Sequence, residues 1–228
     1  RHMMDGIVMA AHTEHPGGYW TSIHRPIVAF DRTLGEGVPA VRSDHEQGGR
    51  LIADLLIRTG ARHVVMIGGP RDQFFDLAAR GEVEDVFDLE KTAFPTVRYY
   101  LTLEQELMKA GIRYEYVEAG EVMDFDGYRR AVGETLDRVG PDGVDAVVSS
   151  DIGASFCVRE ALRRGIAIPQ DLQIVAYDGT YLTDLAGMKT TAVVQDFVAI
   201  TQTVADHITQ AIADEDAAAA KASLRKDD

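Results

Sequence analysis

The sequence has little cysteine, no long apolar run and a shortage of positive charge. The single cysteine among 228 residues, Cys157, excludes a disulfide framework, and its place on an apolar helix face predicts a small buried side chain. No apolar run approaches the ~20 residues that a membrane span needs, and no signal peptide opens the chain. Acidic residues outnumber basic ones by 37 to 23, for a formal net charge of -14, whereas a nucleic-acid surface needs the opposite sign. We therefore predict a cytoplasmic protein with no membrane contact and, within this chain, no DNA-binding surface.

The short motifs that mark common active sites are missing as well. The sequence contains no Gly-x-Ser-x-Gly elbow, no phosphate-loop Gly-Lys-Ser/Thr and no Cys-x-x-Cys pair. Gly35 and Gly37 lack the third glycine of a dinucleotide fingerprint. His12, His15 and His24 share one loop and could suggest a metal, but loop histidines are usually solvated. We predict no enzymatic activity, no cofactor and no metal site.

The most informative segment, residues 144–178, has the pattern of a strand, a helix and a second strand. Residues 144–148 form an apolar run with β-branched side chains, which is typical of a strand buried on both faces. Ser150 is a favoured helix-capping residue, and Gly165 ends the helical pattern that follows. A second apolar run, residues 172–177, completes the unit.

Two strands joined by a crossover helix pair in parallel, so their carboxyl ends lie at one edge of the sheet. Ligands of such sheets bind at that edge. The first strand ends at Ser150 and Asp151, and the second ends at Asp178. We therefore expect these three side chains to lie together at the carboxyl edge of the sheet.

The remainder of the chain repeats the alternation of strands and helices. We predict strands over residues 6–11, 26–30, 38–41, 63–67, 114–117 and 191–194, and further helices over residues 46–59, 97–110, 124–139 and 197–213. Residues 82–90 are interpreted as an exposed acidic excursion, and the Ala-rich end of the chain from residue 214 as a fraying tail. The alternation predicts an α/β fold with parallel sheets.

Several of these segments resemble, in the same order, the effector-binding core of the LacI/GalR family of bacterial transcriptional repressors. The segments are Asp-Gly-Ile-Val at 5–8, Pro-Ile-Val-Ala-Phe-Asp-Arg at 26–32, Ser-Ser-Asp at 149–151, Gly-Ile-Ala-Ile-Pro-Gln-Asp-Leu at 165–172, Tyr-Asp at 177–178 and Thr-Ala-Val-Val-Gln-Asp-Phe at 191–197. The ordered set extends over most of residues 5–212.

The resemblance implies a periplasmic-binding-protein-like type I fold, in which two parallel-sheet, Rossmann-like subdomains face each other across a ligand cleft. The first subdomain would comprise residues 4–61 and 197–216, and the second residues 62–194, with residues 217–228 as a tail. The family's first two βα units and its helix-turn-helix headpiece have no counterpart here, so the first subdomain is expected to be incomplete. The resemblance also implies a homodimer that contacts operator DNA only through the headpiece.

The same resemblance implies a set of ligand-binding residues. Asp178 matches an acid that contacts the ligand in the family, and Ser150 stands where the family often has Asn, with Asp151 next to it. Gln195 and Asp31 match two further cleft positions. For each residue, the alternative of a helix cap or a turn residue stays open.

Two positions depart from the family pattern. Tyr99 occupies the place of an arginine that grips effector oxygens, while Arg98 lies one residue earlier. Either a small shift at the helix start restores Arg98 as the effector contact, or Tyr99 stacks on a sugar ring. Val122 stands where some members have an aromatic side chain. We include both Arg98 and Tyr99 among the predicted ligand-binding residues.

The resulting prediction is the effector-sensing domain of a sugar-responsive repressor, in which effector binding shifts the placement of two headpieces in a dimer. The alternative is a solute-binding protein of a sugar transporter, which would have the same fold. An α/β enzyme is a third hypothesis, but it would need a nucleophile–base pair or a cofactor loop, and the sequence contains neither.

Overall fold

The computed structural model describes residues 4–10, 19–31, 34, 37–70, 97–120 and 124–224. Predictions made for residues 82–90 and for His12, His15, Gly35 and Val122 lie outside these residues. The contacts divide the chain into two compact units. The first takes the described residues of Arg1–Ser43 and Asp196–Asp228, and the second takes those of Asp44–Lys91 and Thr96–Gln195.

Strands and helices alternate along the described chain. The strands are β1 (Ile7–Met9), β2 (Ile27–Phe30), β3 (Ala40–Val41), β4 (His63–Gly68), β5 (Arg113–Glu118), β6 (Ala146–Ser150), β7 (Gln173–Asp178) and β8 (Thr191–Val194). The helices are α1 (His45–Arg58), α2 (Val97–Lys109), α3 (Phe125–Leu136), α4 (Asp151–Arg164) and α5 (Phe197–Leu224). Short 3-10 helices, which the sequence pattern did not predict, occur at Trp20–Ser22 and Tyr181–Asp184.

The first unit is a small parallel sheet in the order β1-β2-β3. The central strand β2 carries its core, because Val28 is fully buried there. Ile200 and Val204, one helical turn apart on α5, pack against Val28. Among the described residues of this unit, α5 therefore covers one face of the sheet.

The second unit is a five-stranded sheet in the order β5-β4-β6-β7-β8, with every pair parallel. On one face, α3 and α4 enclose a core that includes Val65, Ile67 and Val147. On the other face, α1 and α2 contact the sheet through Met66 and Tyr177. The predicted α/β fold with parallel sheets is confirmed.

Local sequence explains where the helices begin and end. Three N-cap side chains accept a hydrogen bond from the backbone N–H three residues later, and these are Asp44, Asp124 and Ser150. Three helices end at a glycine with positive φ, a conformation that L-residues avoid, and these are Gly60, Gly111 and Gly165. Among the described residues, no helix is both long enough and apolar enough to cross a lipid bilayer.

The structure differs from the predicted subdomain boundary at residue 61. The contacts place this boundary after Ser43, so that α1 belongs to the second unit. The reason is a close approach of two helices: a Cβ at Gly49 would lie 2.4 Å from the carbonyl oxygen of Tyr99 on α2. The amphipathic pattern of α1 indicates a buried face but does not say which sheet that face covers.

The last helix is longer than predicted. A helix ending at residue 213 with a fraying tail was expected, whereas α5 continues to Leu224. The extension contains four consecutive alanines, residues 217–220, and alanine has the highest intrinsic helix propensity. The prediction of an irregular tail was therefore wrong over residues 214–224.

We expect Gly49→Ala to lower the free energy of unfolding by about 1–3 kcal/mol, because the added methyl would meet backbone that has no room to move. Gly133, inside α3, is the matched control, since a Cβ there would come no nearer than 3.8 Å to Arg164 Nη2. Gly133→Ala should instead stabilise by about 0.5–1 kcal/mol through helix propensity. Urea titration followed by circular dichroism measures both changes, and shifts of the same sign would contradict the close approach of α1 to α2.

Candidate functional site

The carboxyl edge of the second sheet brings several predicted residues together. Strands β6 and β7 are neighbours, and Ser150 at the end of β6 is in register with Tyr177. Asp151 follows directly, and Asp178 is the last residue of β7. Ser150, Asp151 and Asp178 therefore lie at one edge of the sheet, as predicted.

Asp178 has an unusual backbone conformation. Its φ is +97°, a conformation that costs a non-glycine residue about 1–3 kcal/mol. Such a conformation persists only where surrounding contacts compensate for this cost. Gln195 supplies two of these contacts: its side-chain Nε2 donates to Asp178 Oδ1 at 2.6 Å, and its backbone N–H donates to the Asp178 carbonyl at 3.2 Å. Asp178 and Gln195, both predicted at the site, therefore form one hydrogen-bonded pair.

Asp151 holds the turn that follows Asp178. Its side chain is buried, with an exposed fraction of 3%, and it accepts two backbone hydrogen bonds. Gly179 N–H donates to Oδ1 at 3.1 Å, and Thr180 N–H donates to Oδ2 at 2.5 Å. These bonds give Asp151 the turn-forming role that the sequence left open beside ligand contact.

Ser150 connects the sheet edge to helix α4 and to a buried tyrosine. Its hydroxyl accepts from Gly153 N–H as the helix N-cap. Burial raises the pKa of Tyr128, the neighbouring Ser150 hydroxyl opposes that rise, and the charge of Asp178 adds to it. The Tyr128 hydroxyl is therefore neutral and lies within the electrostatic reach of Asp178.

Tyr99 is a packing residue of the same edge. Its ring is stacked on Tyr177, with a centroid distance of 3.8 Å and an interplanar angle of 4°, and its hydroxyl donates to Met66 Sδ at 3.8 Å. Burial is the main reason why the pKa of Tyr99 is raised well above its usual value, and the charge of Asp178 contributes. One face of the Tyr99 ring is thus taken by protein.

Arg98 and Asp31 lie in different surroundings. Arg98 is buried at the start of α2, and its Nη1 is 3.7 Å from Glu46 Oε1. Asp31 belongs to the first unit, where it follows β2 with a φ of +48° and its N–H donates to the Val41 carbonyl at 2.9 Å. Ligand contact by either residue stays a prediction.

A buried hydrogen bond that the sequence pattern did not indicate lies beneath Asp178. His45, the first residue of α1, shares a 2.6 Å hydrogen bond between its Nδ1 and Tyr177 Oη. Gly48 makes room for this ring, because a Cβ there would lie 2.7 Å from Tyr177 Cε2. The adjacent glycines Gly48 and Gly49 inside an amphipathic helix were the available signal, since such glycines often mark a close approach.

Two concave grooves of the second unit lie away from this edge. The larger has a volume of about 600 Å³ and is lined at the amino edge of the sheet by Arg62, Asp145 and Gln173 among others. The neighbouring groove has a volume of about 230 Å³. Polar groups of the larger groove pair with each other, as Arg62 Nε does with Asp145 Oδ2 at 3.1 Å. The larger groove lies at the amino edge, whereas ligands of parallel sheets bind at the carboxyl ends of the strands, so the carboxyl edge is the candidate site.

The described part of the chain contains neither a cluster of metal-binding side chains nor an exposed cysteine. No group of three or more His, Cys, Asp or Glu side chains is arranged there to hold a metal ion, and His24 is exposed. Cys157 is fully buried, and burial raises its pKa to about 12. The prediction of a small buried cysteine is confirmed.

Comparison with solved structures defines the class of protein. The fold matches a LacI transcriptional regulator from a Rhodococcus species with a TM-score of 0.72 and 19% identity, over 93% of this chain and 72% of that one. It also matches a complex of the transcriptional regulator CelR with cellobiose, with a TM-score of 0.67 and 24% identity, over 93% of this chain and 61% of that one. The fold is therefore that of a periplasmic-binding-protein-like α/β protein.

Sequence comparison adds the family. A family model described as a periplasmic binding protein-like domain matches residues 53–226. The sucrose operon repressor of Streptococcus mutans serotype c is 26% identical over 79% of this chain and 48% of its own length, and the HTH-type transcriptional regulator CelR of Thermobifida fusca is 31% identical over 75% and 45%. This chain belongs to the periplasmic binding protein-like domain family, as the core found in LacI/GalR regulators. It spans about half the length of the curated relatives it matches.

We expect Asp151→Ala to lower the free energy of unfolding by about 2–3 kcal/mol, because two backbone amides of a partly buried turn lose a charged acceptor. Asp171→Ala is the matched control, since this exposed carboxylate accepts from one amide, Ala167 N–H. Its loss should cost about 0.5–1 kcal/mol. Urea titration of the two variants measures the difference, and equal losses would show that Asp151 does not hold the turn.

Proposed function

We propose that this chain is the effector-sensing domain of a sugar-responsive repressor of the LacI/GalR type. The observation that carries the proposal is the Asp178–Gln195 pair at the carboxyl edge of the second sheet, surrounded by buried tyrosines. Carboxylate and amide groups exchange hydrogen bonds with vicinal hydroxyls, and aromatic surroundings suit the apolar face of a sugar ring. Effector binding would shift the population of states that the intact repressor samples.

The names of the relatives support a repressor over the solute-binding protein of a transporter. They include sucrose and ribose operon repressors, and one solved neighbour is a regulator in complex with cellobiose. Because these relatives are regulators, we propose a binding protein without enzymatic activity. Because operon repression takes place at DNA, we propose a cytoplasmic location.

Operator binding is proposed for the longer protein rather than for these residues. One relative is named an HTH-type regulator, and we assign DNA contact to a headpiece outside the present 228 residues. The formal net charge of -14 supports this division of roles, because DNA recognition requires a positive surface.

The charges at the proposed site favour a neutral effector. The field of Asp178 reaches Tyr99 and Tyr128, where it adds to the rise of both pKa values. Arg98 lies 3.7 Å from the carboxylate of Glu46, which also pairs with Arg50 at 3.5 Å. An anionic sugar would be repelled by the carboxylate of Asp178.

We expect a neutral sugar, drawn from cellobiose, sucrose and D-ribose, to raise the melting temperature of the chain, whereas glucose 6-phosphate should not. A ligand at a hundredfold excess over its dissociation constant stabilises by about 2.7 kcal/mol. Asp178→Asn, which tolerates positive φ and removes the charge, should weaken binding at least about tenfold by calorimetry. Asp171→Ala, at the opposite edge, is the control that should leave affinity unchanged. Preference for the phosphate, or no response to any of these sugars, would reject the proposed site chemistry.

We also propose that the chain forms a homodimer through an apolar surface of the second unit. Tyr181 and Leu185 have exposed fractions of 74% and 73%, and Leu162 on α4 is half exposed. The 3-10 segment is fixed to α4, because Ser155 Oγ donates to the Leu182 carbonyl at 2.8 Å. Exposed apolar side chains held on a rigid surface are typical of a protein interface.

Leu185→Asp should convert the dimer to a monomer, because it would bury an unpaired charge at the proposed interface. Met108→Asp is the matched control: Met108 is similarly exposed, at 65%, but lies on α2. Sedimentation velocity measures the mass of each variant. A monomeric parent chain, or dissociation by Met108→Asp alone, would contradict the proposed interface.

A further inference from the structure

The residue that precedes Asp178 is held from two sides. The Tyr177 ring is stacked on Tyr99, and its hydroxyl shares the 2.6 Å hydrogen bond with His45 Nδ1. Tyr177 is almost fully buried, and His45 has an exposed fraction of 1%. The ring therefore has one fixed position, set by helix α2 on one face and by the start of helix α1 at its hydroxyl.

The start of α1 is built to allow this contact. His45 is the first helical residue, placed by the Asp44 cap, whose carboxylate accepts from Gln47 N–H at 2.8 Å. Gly48 lies one turn further on and leaves the space that Tyr177 occupies. A polar partner for the tyrosine hydroxyl is thus provided in a region that excludes water, where an unpaired hydroxyl would be unfavourable.

The backbone after Asp178 is restrained by different residues. Gln195 binds both the side chain and the carbonyl of Asp178, and Asp151 binds the next two amides. The positive φ of Asp178 lies between these two sets of contacts. Such a conformation persists only where the surrounding structure fixes the chain on both sides.

We propose that His45 is a positioning residue for the effector site: its hydrogen bond to Tyr177 fixes the backbone that enters Asp178, and so sets the orientation of the Asp178 carboxylate. This inference rests on the proposed function of Asp178. His45 itself does not touch the effector and acts through Tyr177.

A second buried histidine supplies the matched control. His63 begins β4 at the amino edge of the same sheet, and its Nε2 shares a 2.6 Å hydrogen bond with Glu115 Oε1. Both histidines are buried, and each makes a short side-chain hydrogen bond. Only His45 lies next to Tyr177, so only its loss should affect the turn at Asp178.

Backbone hydrogen exchange tests the positioning without any effector. We expect Tyr177→Phe and His45→Leu to speed exchange of the Gly179, Thr180 and Gln195 amides about tenfold. The double variant should be no faster than Tyr177→Phe alone, because both changes remove the same bond. His45→Gln keeps a hydrogen-bonding group and should recover part of the protection. His63→Leu should leave these three amides unchanged after correction for global stability.

The proposal would be overturned if exchange at these amides followed global stability alone and changed equally in the His63→Leu variant.

Calorimetry with cellobiose, sucrose and D-ribose then separates the positioning role of His45 from the proposed function. If one sugar binds the parent and Tyr177→Phe weakens it about tenfold, the positioning role extends to the effector. If the sugar binds all variants equally, the positioning role fails while the effector site stands. If exchange responds but no sugar binds the parent, the effector assignment fails and the backbone role of His45 stands.

Discussion

The backbone at Asp178 is the constraint on which the carboxyl edge of the second unit depends. A positive φ at a non-glycine residue is unfavourable by itself, yet contacts from three separate parts of the chain hold it. Tyr177 is fixed before it by the starts of α1 and α2, Gln195 binds it from the end of β8, and Asp151 holds the turn after it. The same contacts join α1, α2, α4 and the end of β8 to β7, so the local strain and the packing of the unit have a common cause.

Much of the fold follows from local patterns in the sequence. The apolar runs placed β6, β7 and β8 within two residues of their observed bounds, because strands buried on both faces require such runs. Gly165, which the sequence pattern marks as the end of a helix, has the positive φ that such a position requires. Local sequence patterns did not predict which of the two units contains α1. Its position depends on a fit between Gly49 and the backbone of Tyr99, 50 residues away in the sequence.

Part of the candidate site could likewise be predicted from the sequence, and part could not. The rule that parallel strands end at one edge was sufficient to bring Ser150, Asp151 and Asp178 together. The pairing of His45 with Tyr177 was not predictable, because 132 residues separate them and neither has a distinctive local pattern. Tyr99 shows why residue type alone does not define a role. An aromatic ring at a ligand position suggests stacking on a sugar, but here the ring stacks on Tyr177.

The protonation states at this edge support the proposed binding of a sugar. Burial and the charge of Asp178 both raise the pKa of Tyr99 and Tyr128, so the phenols stay neutral at physiological pH. The Asp178 carboxylate, with neutral phenols around it, accepts hydrogen bonds from hydroxyl donors and repels an anion. The turn residue Asp151 does not add to this, because both of its oxygens are already occupied by backbone amides. We therefore propose different roles for the two neighbouring carboxylates: Asp151 fixes the turn, and Asp178, paired with Gln195, contacts the effector.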